Sequence, residues 1–225
     1  PVQVSADAML ELYLKNMSEI FITSHCSINK NSVVVNEKQR PFVGDFSSGI
    51  RSIYQYESIK YPKFFKMDNL SKLAFIAAEL ALGGLDIKKR YESDKIGLIL
   101  MCSNSSLDTD CRYFESISNE NYYPSPGIFV YTLPNLMAGE ICIRHNFKGE
   151  NTVFINDQCD WKFISEIVQF LMITSKIDAC LCGWCDLFLE DFATDLFFVE
   201  KGDQPAGKKI FNSANILKIL DLQHL

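Results

Sequence analysis

The chain has 225 residues, 48% hydrophobic and 22% charged, enough to bury a core and too apolar for an intrinsically disordered chain. Its 22 lysines and arginines stand against 28 aspartates and glutamates, a net charge of −6, which argues against the basic surface that non-specific nucleic-acid binding requires. No apolar run reaches the ~18 residues of a membrane-spanning helix, because the longest candidate, from Ile164 to Trp184, is interrupted by Ser165, Glu166, Gln169, Ser175, Lys176 and Asp178. Eight cysteines and the lack of a secretory pattern in residues 1–16 read as reduced thiols in a cytoplasmic protein. The chain begins with Pro1, and Met17 opens a strand-like stretch. Residues 1–16 are therefore set apart as an N-terminal extension, and residues 17–225 are read as a single domain.

In chain order, Glu19 to Ile28 is short, β-rich and apolar, as a buried strand is, and residues 32–36 form a hairpin return. Residues 37–65 read as irregular and aromatic. Asp68 or Asn69 caps a helix to about Leu82, with Leu70, Leu73, Ala74, Ala77 and Ala81 at helical spacing and Gly83-Gly84 at its end. Lys95 to Cys102 is almost wholly apolar, as a central strand covered on both faces is. A polar loop follows, then a helix over 111–118, a proline-containing loop over 121–127 and a helix from about Leu133 to His145 with Pro134 in its first turn. Residues 152–155 form a short strand. Asp160 caps a helix whose Ile164, Ile167, Val168, Leu171 and Met172 share one face. Strands over 179–182 and 196–200, a turn over 202–209 and a helix over 212–222 close the chain. Strands alternating with helices predict a layered α/β domain with a mixed sheet of about five strands and helices on both faces.

The Cys180-x-Cys182-x-x-Cys185 cluster has no second cysteine pair and no histidine nearby, so it reads as buried small hydrophobes and no metal is expected. His25, His145 and His224 read as surface or capping residues, with His145 beside Arg144 at a helix end. The stretch Ile155 to Asp160 is more informative, because a strand turns there directly into a helix. A thiol at that junction, Cys159, meets the positive end of the helix dipole, which favours thiolate. A cysteine just before a helix is equally a core or cap-region residue.

Lys66-Met67-Asp68, ahead of an Ala-rich helix, resembles the KMDRF-type segment of β-ketoacyl synthases. Lys95 to Leu100 resembles the RIGVIVG-type strand that follows it there. Leu133-Pro134-Asn135-Leu136-Met137-Ala138-Gly139-Glu140-Ile141, with Ile143-Arg144 and Lys148-Gly149-Glu150-Asn151, resembles the LPNMAAGQIAI-R-x-x-x-KGPN run ahead of the nucleophile elbow. Asp178 to Gly183 resembles the DVMLAGG strand. Order and spacing agree from about Met17 to Gly183, and the resemblance implies the N-terminal half of a thiolase-like fold.

In that family the nucleophilic cysteine lies nine residues after the glycine of KGPN. Nine residues after Gly149 stands Gln158, which is similar to the chain-length-factor subunits of type II polyketide synthases, where glutamine replaces the nucleophile. Cys159 is one residue further on. The family's C-terminal half supplies two histidines for decarboxylation of the malonyl thioester, and nothing after Leu196 resembles it. Residues 196–200 look like the closing strand of the N-terminal half, with residues 184–195 replacing the long cap that normally intervenes.

The resemblance thus implies a non-catalytic ketosynthase-like subunit in fatty-acid-like, aryl-polyene or polyketide synthesis. It would act with an active ketosynthase and an acyl carrier protein bearing acyl-phosphopantetheine. An alternative is a minimal 3-oxoacyl-[acyl-carrier-protein] synthase or acyltransferase with Cys159 as nucleophile and His145 or a partner's histidine as base. A third reading is a binding or assembly protein that kept only the fold. The first expects Gln158 at the helix N-terminus facing a pocket with Cys159 turned away, the second expects Cys159 in the elbow, and the third expects neither to face a cavity. In ketosynthases the strand before the nucleophile pairs across the dimer, so residues 152–156 are the expected contact with a ketosynthase partner or a second copy.

Overall fold

The computed structural model describes residues 19–117, 123–202 and 207–221. The expectations for residues 1–16, Met17 and His224 lie outside these, as do those for parts of the 121–127 loop, the 202–209 turn and the end of the last helix. Three strands open the described chain: β1 (Ile20–Asn29), β2 (Ser32–Val35) and β3 (Lys38–Pro41). Helix α1 (Phe46–Tyr56) starts where the Asp45 carboxylate accepts the Ser48 N–H at 2.7 Å, an N-cap that satisfies an otherwise unpaired donor. After a 3₁₀ turn over Pro62–Lys66 comes α2 (Asn69–Leu82). Asp68 caps α2 through Ser71 N at 3.0 Å and also accepts the Thr109 hydroxyl at 2.8 Å, so one buried carboxylate ties two segments.

Next come α3 (Ile87–Arg90), β4 (Ile96–Cys102), α4 (Leu107–Glu115), α5 (Pro126–Phe129) and α6 (Leu136–His145). The chain ends with β5 (Asn151–Ile155), α7 (Trp161–Ile173), β6 (Ala179–Phe188), β7 (Asp191–Lys201), β8 (Lys209–Ile210) and α8 (Ser213–Asp221). The strands form one mixed sheet in the order β3-β2-β1-β7-β6-β4-β5, with β8 also on β1. Strands β6, β4 and β5 run parallel, and the remaining pairs are antiparallel.

The apolar run of β4 is explained by its place in this sheet. Leu98 and Leu100 face the core under α2 and α6, whereas Ile99 and Met101 face the core under α7 and α8. A strand buried on both faces cannot alternate polar and apolar residues. Helix α2 is buried along almost its whole length, between the sheet and its neighbouring helices. Its end is pinned to α6 by Glu79, which accepts Arg144 Nε at 2.6 Å and Nη2 at 3.0 Å and lies 3.2 Å from His145 Nε2. Burial alone would raise the Glu79 carboxyl, but the adjacent His145 imidazole and the Arg144 hydrogen bonds outweigh it and hold the pKa at about 2. A carboxylate depressed in the folded state stabilises above its unfolded pKa, near 4.5, and that stabilisation fades as pH falls toward 2. Urea titrations are therefore expected to show wild type losing stability over that window, and Glu79→Gln losing less of it.

Among the described residues the sheet has eight strands rather than about five. Part of the difference lies in residues 37–65, read as irregular, which contain β3 and α1. Strand β3 is Lys-Gln-Arg-Pro at a sheet edge, with no apolar pattern to reveal it. In α1 the buried Phe46, Ile50 and Tyr54, with the partly buried Ile53, fall at helical spacing, a pattern that the reading of this stretch as irregular passed over. Residues 184–195, expected as a shortened connection, instead extend β6 and β7 into one hairpin that turns at Leu189 and Glu190. The remaining difference is the two-residue β8, within the stretch read as a turn.

Gly183, in the middle of β6, has φ +152, and a Cβ there would stand 1.9 Å from the Asp195 carbonyl oxygen across the β6–β7 pair. The obstacle is backbone, which has little freedom to withdraw. Gly183→Ala is expected to cost about 3 kcal/mol or more, read as a lowered denaturation midpoint, while alanine at Gly139, with no atom within 4 Å of its added Cβ, serves as the control.

Candidate functional site

The candidate site is the turn from β5 into α7. The β4–β5 ladder is closed by the Asn156 N–H, which donates to the Cys102 carbonyl at 3.0 Å. The Asn156 side-chain amide then donates to the Gln158 carbonyl at 3.0 Å, folding the turn on itself. Helix α7 is capped by Asp160, which accepts the Phe163 N–H at 2.9 Å. The residue that meets the helix N-terminus is thus a carboxylate, one position after the expected thiol. The Lys148-Gly149 approach to β5 has a packing cause as well. A Cβ on Gly149 would lie 2.6 Å from the Ile96 carbonyl oxygen, so the loop can pass beneath the start of β4 only with glycine there.

Gln158 is exposed on this turn, and Cys159 is half-buried. Cys159 packs with Trp161 and Phe154 against the core under α7 and α8. Burial pushes its thiol well above the ordinary range, and the carboxylates of Asp195 and Asp160 push it the same way. The thiolate-favouring effect of a helix N-terminus is therefore outweighed here, in contrast to the sequence-based expectation. Neither Gln158 nor Cys159 lines the clefts at β1 and β8, at the β6–β7 hairpin, at the end of α2 or at β3 and α1, so the pocket that the first reading expects beside Gln158 is not among them, and on this point the arrangement favours the assembly reading.

Cys180, Cys182 and Cys185 are fully buried, and burial holds the thiols of Cys182 and Cys185 well above the ordinary range. Among the described residues no group of three or more histidines, cysteines or acids is placed to hold a metal ion. The histidines differ from a surface reading. His145 joins the Glu79 network, and His25 is buried on β1 with its ring stacked 5.9 Å from Phe197. Both positions depend on contacts distant in sequence, which local spacing does not report.

At the C-terminal ends of β4 and β6 the Asp186 carboxylate accepts Ser103 N, Ser103 Oγ, Asn104 N and Asn104 Nδ2 at 2.6–2.9 Å. This holds the loop after β4 against the hairpin. Beside it lies a cleft of about 400 Å³ lined by Lys30, Asn104, Trp184, Asp186 and Phe192. Such crevices at the carboxyl ends of parallel strands are where open α/β sheets bind ligands.

The two edges of the sheet differ in chemistry. Strand β3 ends in proline and carries Lys38 and Arg40, features that block strand addition. Strand β5 (Asn-Thr-Val-Phe-Ile) has neither charge nor proline, and among the described residues it pairs on one side only, with β4. Its even-numbered neighbours Glu150 and Asn156 bond to β4, so by alternation the backbone groups of Val153 and Ile155 point outward. Phe114, Tyr123, Phe129, Val130 and Leu133, around α4 and α5, are large apolar side chains left exposed. Sequence reasoning passed over this patch because the residues fall in short, irregular segments without helical periodicity.

No family model matches the sequence, and no curated protein is similar to it. Solved structures do match. The ishigamide ketosynthase/chain length factor aligns with a TM-score of 0.63 at 18% identity, over 85% of this chain and 64% of that one. AntDE:AntF, a type II polyketide synthase acyl-carrier protein in complex with its ketosynthase bound to the hexaketide, aligns at 0.55 and 12%, over 82% and 62%. The ketosynthase ApeO in complex with its chain length factor ApeC, from Xenorhabdus doucetiae, aligns at 0.51 and 10%, over 82% of this chain and 80% of that one. The chain thus spans less than two thirds of the first two matched chains but is close in size to the third. The common fold is the thiolase-like α/β domain of ketosynthases and chain length factors.

Proposed function

We propose that this chain is a chain-length-factor-like subunit that pairs with an active ketosynthase and does not itself carry the acyl group. The observation that carries this reading is the β5–α7 turn, where an exposed carboxamide, Gln158, and a half-buried thiol held protonated, Cys159, stand in place of a thiolate. Acyl transfer requires a thiolate nucleophile and preorganised donors for the oxyanion. A carboxamide cannot form the thioester, and the protonated thiol is a poor nucleophile.

Partnering is supported by β5, the uncharged and proline-free edge of the sheet. A ketosynthase adding its own strand there would satisfy the outward backbone groups. The acyl carrier protein would then deliver its acyl-phosphopantetheine to the ketosynthase's cysteine, in fatty-acid-like, aryl-polyene or polyketide elongation. The test is reconstitution from purified components. Elongated product is expected only when a cognate ketosynthase, a carrier protein and this chain are combined, and Cys159→Ala is expected to support it fully. Full elongation by the ketosynthase without this chain, or by this chain without the ketosynthase, would refute the reading.

A further inference from the structure

Helix α6 carries no polar side chain on its free side. Met137, Ala138 and Ile141 face the core, while Glu140 and Arg144 are held by Lys63 and Glu79 on the side of α2. With 3.6 residues per turn, Gly139, Cys142 and Ile143 fall on the flank turned away from α2, and Ile143 is 66% exposed. A surface helix ordinarily sets polar residues on such a flank, and a helix that lacks them is normally covered. Helix α2 lies over β1, β7 and β6, whereas α6 lies over β4 and β5. The uncovered flank of α6 therefore adjoins the open edge of the sheet at β5.

Gly139 is unexplained by its own chain. It sits mid-helix without the positive φ that favours glycine, and a Cβ added to it would meet no atom within 4 Å. Mid-helix glycine is destabilising relative to alanine, so the free subunit gains nothing from it. What an absent side chain does allow is close approach of another backbone, as when two helices pack at axial separations of about 8–10 Å. The exposed Ile143, one turn further on, gives such a contact an apolar ridge. A partner of the same layered architecture that adds a strand to β5 brings its own helical layer level with α6, so strand and helix form one continuous contact.

We propose that the subunit that extends the sheet at β5 also lays a helix along the free flank of α6, with its closest approach at Gly139. The proposal rests on the reading of β5 as the ketosynthase contact, and goes beyond it by adding a second element and the residue that sets the distance. It is tested by calorimetry of the full chain with the cognate ketosynthase, with melting temperatures measured in parallel. Gly139→Ala is expected to melt at or above the wild-type temperature yet to bind at least tenfold more weakly. Gly139→Leu and Ile143→Lys are expected to stay folded and to bind at least a hundredfold more weakly. Wild-type affinity in the Gly139 variants, when Ile155→Lys at the edge of β5 does lose affinity, would overturn the proposal and leave the β5 reading standing. A lower melting temperature for Gly139→Ala would show that the glycine serves the chain's own fold, and would equally overturn it. If wild type does not bind, or Ile155→Lys binds as tightly, the β5 reading itself fails and the proposal with it. Self-association of this chain alone that Gly139→Ala abolishes would assign the flank to a second copy instead.

Discussion

Val153→Pro is expected to separate this chain from its ketosynthase partner without unfolding it. The Val153 N–H faces away from β4, so proline removes no bond of the existing ladder, and an edge strand tolerates it. The same substitution deletes a donor from the face where a partner strand would add. Affinity measured by calorimetry with the cognate ketosynthase is expected to fall at least a hundredfold, or about 2.8 kcal/mol. Because Val153 is partly buried, Ile155→Lys provides an independent check. Ile155 is 59% exposed, so the lysine costs little in the free subunit but places an unpaired charge in a strand–strand contact. Undiminished affinity in both variants, with their melting temperatures intact, would remove β5 from the interface.

The second large effect concerns Cys159. After incubation with an acyl phosphopantetheine thioester, intact-mass analysis is expected to show no acyl gain on this chain. The thiolate fraction falls about tenfold for each unit by which a thiol's pKa rises above the ambient pH. Burial, then Asp195, then Asp160 all move Cys159 in that direction. For the same reason iodoacetamide is expected to label the exposed Cys111 long before Cys159, as peptide mapping over a time course would show. A single acyl adduct that disappears in Cys159→Ser would instead assign Cys159 as a working nucleophile and withdraw the chain-length-factor-like reading.

Much of the architecture was legible from local chemistry. The uninterrupted apolar run of β4 requires burial on both faces, and with helical spacing in α2 and α7 it already implied an α/β layer structure. Asp160 was identified as a cap, and Asp68 as one of two candidates beside Asn69, because a polar side chain ahead of an apolar periodic run has a specific partner two or three residues on. The motif-like stretch around Gly149 preserved order and spacing well enough to locate the β5–α7 turn, and counting placed Gln158 in it. Strand β3 was hidden because an edge strand needs few apolar residues, whereas α1 did carry a helical stripe, Phe46, Ile50, Ile53 and Tyr54, that was passed over among the surrounding aromatic residues.

What only the tertiary structure decided was environment. Whether Cys159 is thiolate or thiol depends on its burial against the core under α7 and α8 and on Asp195, which arrives from a strand 36 residues later in the chain. Whether His25 is a surface residue or a cavity wall depends on Phe197 and Lys209, brought to it by strand pairing. Which strand would remain unpaired depends on the strand order, and no periodicity distinguishes an edge strand from a central one when both are apolar. Sequence by itself determined most of the long elements and the identity of the residues at the turn. Burial and through-space charge, which sum over residues far apart in the chain, determined what those residues can do.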